Sequence, residues 1–285
     1  MLGDFEFQRR AVVAEIAKAK AHFDAGHAEA AERALPWPKH STEIKAQFPE
    51  LWAEWGTLHN KICQRQADLY LQKNIPVEFQ SLDPSIYPCP ESLASALEFT
   101  PGPRDENGME LPGFKNGLLL HGPTGAGKTR AAFAVLSARL RSDYPDRQFR
   151  YVSAPVLKRQ LADAARGGRS HAVLEDLLGD QYATLFIDDL SQARFTAAFA
   201  ENLFELIDRI HREHVDVIVT VQTNGADLVR KWCAEDRDLM DTAQAIARRL
   251  REYCFAVRFT LPKQSKPSAV LPLHQSATDA ANAHA

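Results

Sequence analysis

Nine consecutive residues, His121-Gly-Pro-Thr-Gly-Ala-Gly-Lys-Thr129, constrain this chain more than any others. They fit the spacing G-x-x-x-x-G-K-[S/T] at Gly122, Gly127, Lys128 and Thr129, with a further glycine at 125. The apolar run Leu118-Leu-Leu120 comes just before them. A segment with Phe133, Leu136 and Leu140 at helical spacing follows and ends before Tyr144-Pro145. A strand, a glycine loop and a helix in that order form a phosphate cradle. Glycines let backbone N–H groups turn inward without Cβ clashes, and the helix start adds free amides and the positive end of its dipole. The loop Gly122, Pro123, Thr124, Gly125, Ala126 and Gly127 is therefore expected to hold ATP. Lys128 would bridge the β- and γ-phosphates, and the Thr129 hydroxyl would ligate Mg²⁺.

Short apolar runs separated by amphipathic segments continue to residue 261. The predicted strands are 118–121, 149–152, 184–188, 215–221 and 254–261. Strands alternating with helices imply an α/β fold, a mostly parallel sheet with helices on both faces. The third run, Thr184-Leu-Phe-Ile-Asp188-Asp189, ends in two carboxylates. Beside the glycine loop, Asp188 would hold the Mg²⁺ shell and Asp189 would polarise the attacking water; alternatively, the strand simply ends in solvated acids. The fourth run leads into Gln222-Thr223-Asn224 at the sheet edge where α/β proteins bind ligands. Asn224 is the candidate γ-phosphate sensor, with Thr223 in its place if the register slips by one. It is also half of an Asn-Gly turn.

The runs 117–129, 185–190, 219–224 and Ile246-Ala-Arg-Arg-Leu250 occur in the order seen in the AAA+ DnaC/IstB-like family, which this chain resembles from about Leu69 to Thr260. The lead-in Lys73-Asn-Ile-Pro-Val-Glu-Phe79 is similar too. The resemblance implies a five-stranded core of order 5-1-4-3-2 and a homo-oligomer with ATP between subunits. It also implies an arginine reaching a neighbour's γ-phosphate: Arg249 matches that position, and Arg248 is the alternate. Two departures stand out. The Ile207-Asp-Arg-Ile-His211 run shifts an arginine found before the family's sensor strand, and a C-terminal Gly-x-Ser-x-Arg ending is absent. No cis-acting arginine sensor is assigned.

Ahead of this core, residues 1–72 are expected to form a helical N-terminal region. One stripe contains Phe5, Val12, Ile16, Ala19 and Phe23; a second contains Leu51, Trp55, Leu58, Ile62 and Leu69. A break is expected at Asp24-Ala-Gly26 and a stop at Pro36-Trp-Pro38. Each stripe either packs internally or docks a partner. Residues 73–113 read as linker and lead-in, with a short helix at 91–97; 114–262 form the ATPase core, and 263–285 a flexible tail.

A formal charge of −3 excludes a polycation wrapped on DNA, so a nucleic-acid contact requires a local patch. The stretch 153–181 exceeds one crossover helix and offers Lys158, Arg159, Arg166 and Arg169 to single-stranded DNA, or to solvent as an ordinary helix face. Cys63, Cys89, Cys233 and Cys254 are too scattered for a zinc ribbon or disulfide framework. No signal-peptide pattern or membrane-length apolar run is evident, and a cytoplasmic location is expected.

The function expected from the resemblance is ATP-driven loading or remodelling of a hexameric replicative helicase in DNA replication, with the N-terminal helices as the client-binding module. The nearest alternative is a transposition helper forming ATP-dependent filaments on duplex DNA. From other classes come a small-molecule P-loop kinase, which would need an acceptor other than water, and a switch that binds ATP without turnover.

Overall fold

The computed structural model describes residues 2–35, 45–46, 48–81, 87–102, 115–143, 148–166, 169–179 and 182–261, with the side chains of these from residue 9 onward except at 143 and 170. The expected stop at 36–38, the stretch 103–113, Gly167-Gly168 and the tail from 262 lie outside the described residues.

Among the described residues the chain opens with helices α1 (Leu2–Asp24) and α2 (Ala28–Ala34), and α3 (Pro49–Asn74) follows. The expected break at Gly26 is a left-handed helix ending. Gly26 has φ 83°, its N–H donates to Phe23 O, and the His27 N–H donates to His22 O. These two bonds satisfy helix-end carbonyls, and a residue with a Cβ reaches that φ only at a cost. Val12, Ile16 and Ala19 of α1 pack with Ala31, Leu35, Trp55, Leu58 and Ile62 in a small helical core.

Helix α3 does not keep one buried face. Its first half completes that helical core, while Ala67 and Leu71 belong to a second core containing Leu118, Leu120, Phe133 and Phe186. The expected stripe is therefore corrected at Leu69, which is 42 % exposed. Where α3 changes partners its inward face rotates to Ala67, Tyr70 and Leu71. The Tyr70 hydroxyl donates to Phe149 O (2.7 Å) and accepts from Phe149 N–H (3.2 Å), fastening the helix to the sheet.

After α4 (Pro90–Glu98) come β1 (Gly117–His121), α5 (Lys128–Asp143), β2 (Phe149–Ser153), α6 (Ala154–Arg166), α7 (Ser170–Leu177), β3 (Thr184–Asp188), α8 (Ala197–Arg212), β4 (Asp216–Val221), α9 (Gly225–Trp232), α10 (Met240–Tyr253) and β5 (Cys254–Arg258). All strand pairings are parallel, in the order β2-β3-β4-β1-β5, which is the expected 5-1-4-3-2 read from the other edge. The stretch between β2 and β3 holds two helices rather than one.

Every residue of β4 is buried, as a central strand covered on both faces requires. On one face Phe133 of α5 meets Phe186 edge-on at 5.1 Å. The other face packs against α6, α8, α9 and α10 through Leu157, Leu203, Leu206, Trp232 and Ile246. Fully burying a side chain of this size stabilises by roughly 1.5–3 kcal/mol, so these two layers hold the carboxyl ends of β1, β3 and β4 in a fixed relation.

Candidate functional site

Those carboxyl ends converge on the glycine loop. Gly122, Gly125 and Gly127 have φ values of 145°, 81° and 88°. A Cβ on Gly122 would lie 2.1 Å from Phe259 O, so the loop leaves β1 against the end of β5 with no room for a side chain. Lys128 opens α5. It is buried, and its Nζ donates to the carbonyls of Gly122 and Pro123, each at 2.8 Å. Burial pushes its pKa down, opposed by the charges of Asp189 and Asp188.

Asp188 ends β3 beside this helix start. The hydroxyls of Thr129 and Thr220 donate to the same oxygen, Oδ1, at 2.8 and 2.6 Å. Burial raises the Asp188 pKa, the two hydroxyl bonds lower it, the neighbouring Asp189 raises it, and Lys128 lowers it; the net direction is upward. A carboxylate in hydrogen-bond contact with a hydroxyl at the head of a phosphate-type loop is a hard-oxygen pair that fits Mg²⁺.

Asp189 lies one residue beyond β3 in the left-handed region, φ 51° and ψ 55°. A non-glycine residue there stores roughly 1–3 kcal/mol of strain, sustained only by surrounding bonds. Its N–H donates to Thr220 Oγ1 at 2.7 Å, and its Oδ2 accepts from Gln222 Nε2 at 3.1 Å and from Gln192 Nε2. Its Oδ1 is buried without a partner.

The resulting cleft, about 350 Å³, is lined by Thr124, Gly125, Gly127, Lys128, Thr129, Asp189 and Thr220, with Phe79, Pro88 and Arg130 as its outer wall. The lead-in is tied down there: Arg130 donates to Ser81 O and Glu78 O, and the Phe79 ring lies 5.5 Å from that of Phe133. Pro88 and Phe79 were not singled out as cleft walls from sequence, because only the fold brings the lead-in over the loop. Thr220 and Gln222 were given no role, although both belong to the strand end noted as polar: the sensor role went to Asn224. A threonine inside a fully buried strand requires a polar partner, which was the signal for Thr220.

The remaining expected residues fall elsewhere. Asn224 caps α9, its Oδ1 accepting from Asp227 N–H at 3.0 Å. With Thr223 it lines a separate hollow of about 480 Å³ that also includes His121, Gln244, Arg248 and Arg251. Arg249 is held inside its own chain, paired with Asp208 and with its guanidinium 4.5 Å from the centre of the Phe204 ring. Arg248 is 63 % exposed and only loosely near Glu252, at 3.8 Å. Arg209, from the shifted family element, is buried; it ties α8 to α7 through Glu175 and also pairs with Glu213 at the end of α8. Among the four cations offered to DNA, Lys158 donates to Arg194 O and Arg166 pairs with Asp163. The side chains of Arg159 and Arg169 are exposed and unpaired among the described residues. The four cysteines are free thiols. Among the described residues no helix is long and apolar enough to cross a membrane, and no group of three or more histidine, cysteine, aspartate or glutamate side chains is placed to hold a metal ion.

The family described as IstB-like ATP binding protein matches residues 110–260. The chromosomal replication initiator protein DnaA of Bacteroides fragilis (strain YCH46) is 29% identical over 105 residues, covering 37% of this chain and 21% of the initiator. The chain thus spans about a fifth of that relative's length. Among solved structures, the DnaC helicase loader superposes with a TM-score of 0.48 and 18% identity, over 65% of this chain and 99% of the loader. DnaI superposes with a TM-score of 0.45 and 20% identity, over 59% of this chain and 81% of its own.

Proposed function

Because the chain belongs to the family of IstB-like ATP-binding proteins, we propose that it hydrolyses ATP in the cleft between α5 and the ends of β3 and β4, and uses the cycle to load or remodel a replicative helicase. One observation carries the hydrolytic part: Thr129 and Thr220 converge on one oxygen of Asp188, with Asp189 next in sequence and Lys128 in the same cleft. The glycine-loop amides and Lys128 bind the triphosphate, and Thr129 and Asp188 would hold Mg²⁺. When bound, that ion supplies positive charge to the phosphate oxygens. Asp189 takes the proton of the attacking water. Lys128 Nζ exchanges its two carbonyl partners for phosphate oxygens, a stronger charge-assisted contact.

ATP lies between subunits in this reading. Arg248, the exposed member of the pair, reaches the neighbour's nucleotide, while Arg249 anchors α10 to α8. Asn224 reports on the γ-phosphate while its Oδ1 caps α9. Arg159 and Arg169 give a weak, salt-sensitive grip on single-stranded DNA. The helices of residues 1–72 bind the client. The match to a replication initiator and the order of the sequence motifs support the replication role. The family's IstB-like description favours a second reading, a transposition helper assembling on duplex DNA.

Calorimetry and phosphate release test the chemistry. Wild type should bind ATP and release phosphate without an added acceptor, and Lys128→Ala should lose at least about 100-fold in turnover. Wild type without nucleotide binding ends the reading. For the client, wild type and Lys128→Ala are each mixed with a purified hexameric replicative helicase and ATP. An ATP-dependent complex with wild type supports loading; filaments on duplex DNA without helicase binding support the transposition reading instead.

A further inference from the structure

We propose that Gln222 is the positioning residue for Asp189: it ties the carboxylate, through Oδ2, and the turn that carries it to the end of β4, and so fixes how Asp189 is presented to the attacking water. This rests on the hydrolytic reading above and extends it to a residue to which the sequence assigned no role.

Gln222 follows the last residue of β4, and both its main chain and its side chain grip the turn that carries Asp189. Its N–H donates to Ser191 Oγ at 2.7 Å, and its Nε2 donates to Asp189 Oδ2 at 3.1 Å. The orientation of an amide is normally ambiguous, but here both ends are specified. Lys231 Nζ of α9 has only hydrogens to give and lies 3.2 Å from Oε1. The carboxylate on the other side has only lone pairs, so the NH₂ end must face Asp189. The Gln192 amide donates to the same Oδ2. Two amide donors thus converge on Oδ2, while Oδ1 has none and is sealed from solvent.

Rotation about the Cβ–Cγ bond would break the two bonds to Oδ2, so together they hold the carboxylate in one rotamer. The left-handed backbone at Asp189 makes the arrangement depend on its supports: Thr220 of β4 holds its backbone N–H, and Gln222 holds its carboxylate and the Ser191 hydroxyl of the same turn. Lys231 is exposed, so its contribution to the chain of bonds is the smaller one.

The test uses the full-length chain. Gln222→Met keeps the side chain's length and removes the donor. Its kcat for phosphate release should fall about 10- to 100-fold, the range expected for one hydrogen bond to a charged group. The affinity for a fluorescent ATP analogue and the KM should change less than about threefold. Lys231→Met should lose less than Gln222→Met. The discriminating measurement is the double variant: Gln222→Met added to Asp189→Asn should cost no further activity, because a positioning residue has nothing left to position. Unchanged kcat in a folded Gln222→Met overturns the inference while leaving hydrolysis intact. So does a loss that multiplies with that of Asp189→Asn. Wild type that releases no phosphate overturns the hydrolytic reading, and this inference with it.

Discussion

At Asp188 stability and chemistry pull in opposite directions. Burial and the adjacent Asp189 disfavour the ionised carboxyl, whereas the Thr129 and Thr220 hydroxyls favour it. The net upward shift means the folded protein binds the proton more readily than the unfolded chain. The charged form therefore carries a stability penalty above the folded pKa, and that penalty fades as pH falls through it. Asp188→Asn keeps an oxygen for both hydroxyls and removes the charge. It should raise the Tm of the nucleotide-free protein by a few degrees at neutral pH, an advantage that shrinks on acidification, while lowering hydrolysis by about 100-fold or more. Calorimetric scans across pH with parallel phosphate release check both halves, and a lower Tm at neutral pH would contradict the electrostatic account. Asn224 needs the reverse separation, because it caps α9 and is also assigned to the γ-phosphate. Asn224→Asp retains the capping oxygen and should keep its Tm yet lose turnover. Asn224→Ala should lose both, with about 1 kcal/mol from the missing cap.

At the scale of elements, the glycine loop is specified at one end by close packing and at the other by backbone conformation. A methyl on Gly122 would run into Phe259 O, whereas one on Gly125 meets nothing within 4 Å. Gly122→Ala should cost about 3 kcal/mol, because the end of β5 must move. Gly125→Ala should cost only about 1–2 kcal/mol, from its positive φ. Denaturant titration of the two variants measures that difference. Elements of this kind were legible in the sequence where local chemistry sets them: the strand cores at 118–121, 149–152 and 184–188, the helix after the loop, and the break at Gly26. The boundaries of β4 and β5 shifted, and α3 was misread at Leu69, because a helix that leaves one core for another presents a different face to each. A single periodic stripe cannot describe two partners.

For the whole molecule, α3 is the joint. Its apolar contacts to the helical core end at Ile62, and those to the α/β core begin at Ala67. Removing residues 1–63 should therefore leave a cooperative, nucleotide-binding domain. Removing 1–74 takes away Ala67, Leu71 and the Tyr70 clasp on Phe149 and should lower the Tm by several degrees; thermal scans of both truncations decide it. If residues 1–72 recognise the client, the shorter truncation should also lose helicase binding while keeping ATP binding.

What the sequence by itself determined is the part of the protein where chemistry is local. A glycine loop, a lysine and a threonine must be contiguous to surround a phosphate, and an apolar run ending in two aspartates announces its strand and its acids together. The tertiary structure alone decided which polar residue from a distant strand meets those acids, because register across a parallel sheet depends on how helices pack over it. That packing brought Thr220 and Gln222, not Asn224, into bonding distance of Asp188 and Asp189. It also turned Arg249 inward to Asp208 and left Arg248 facing out.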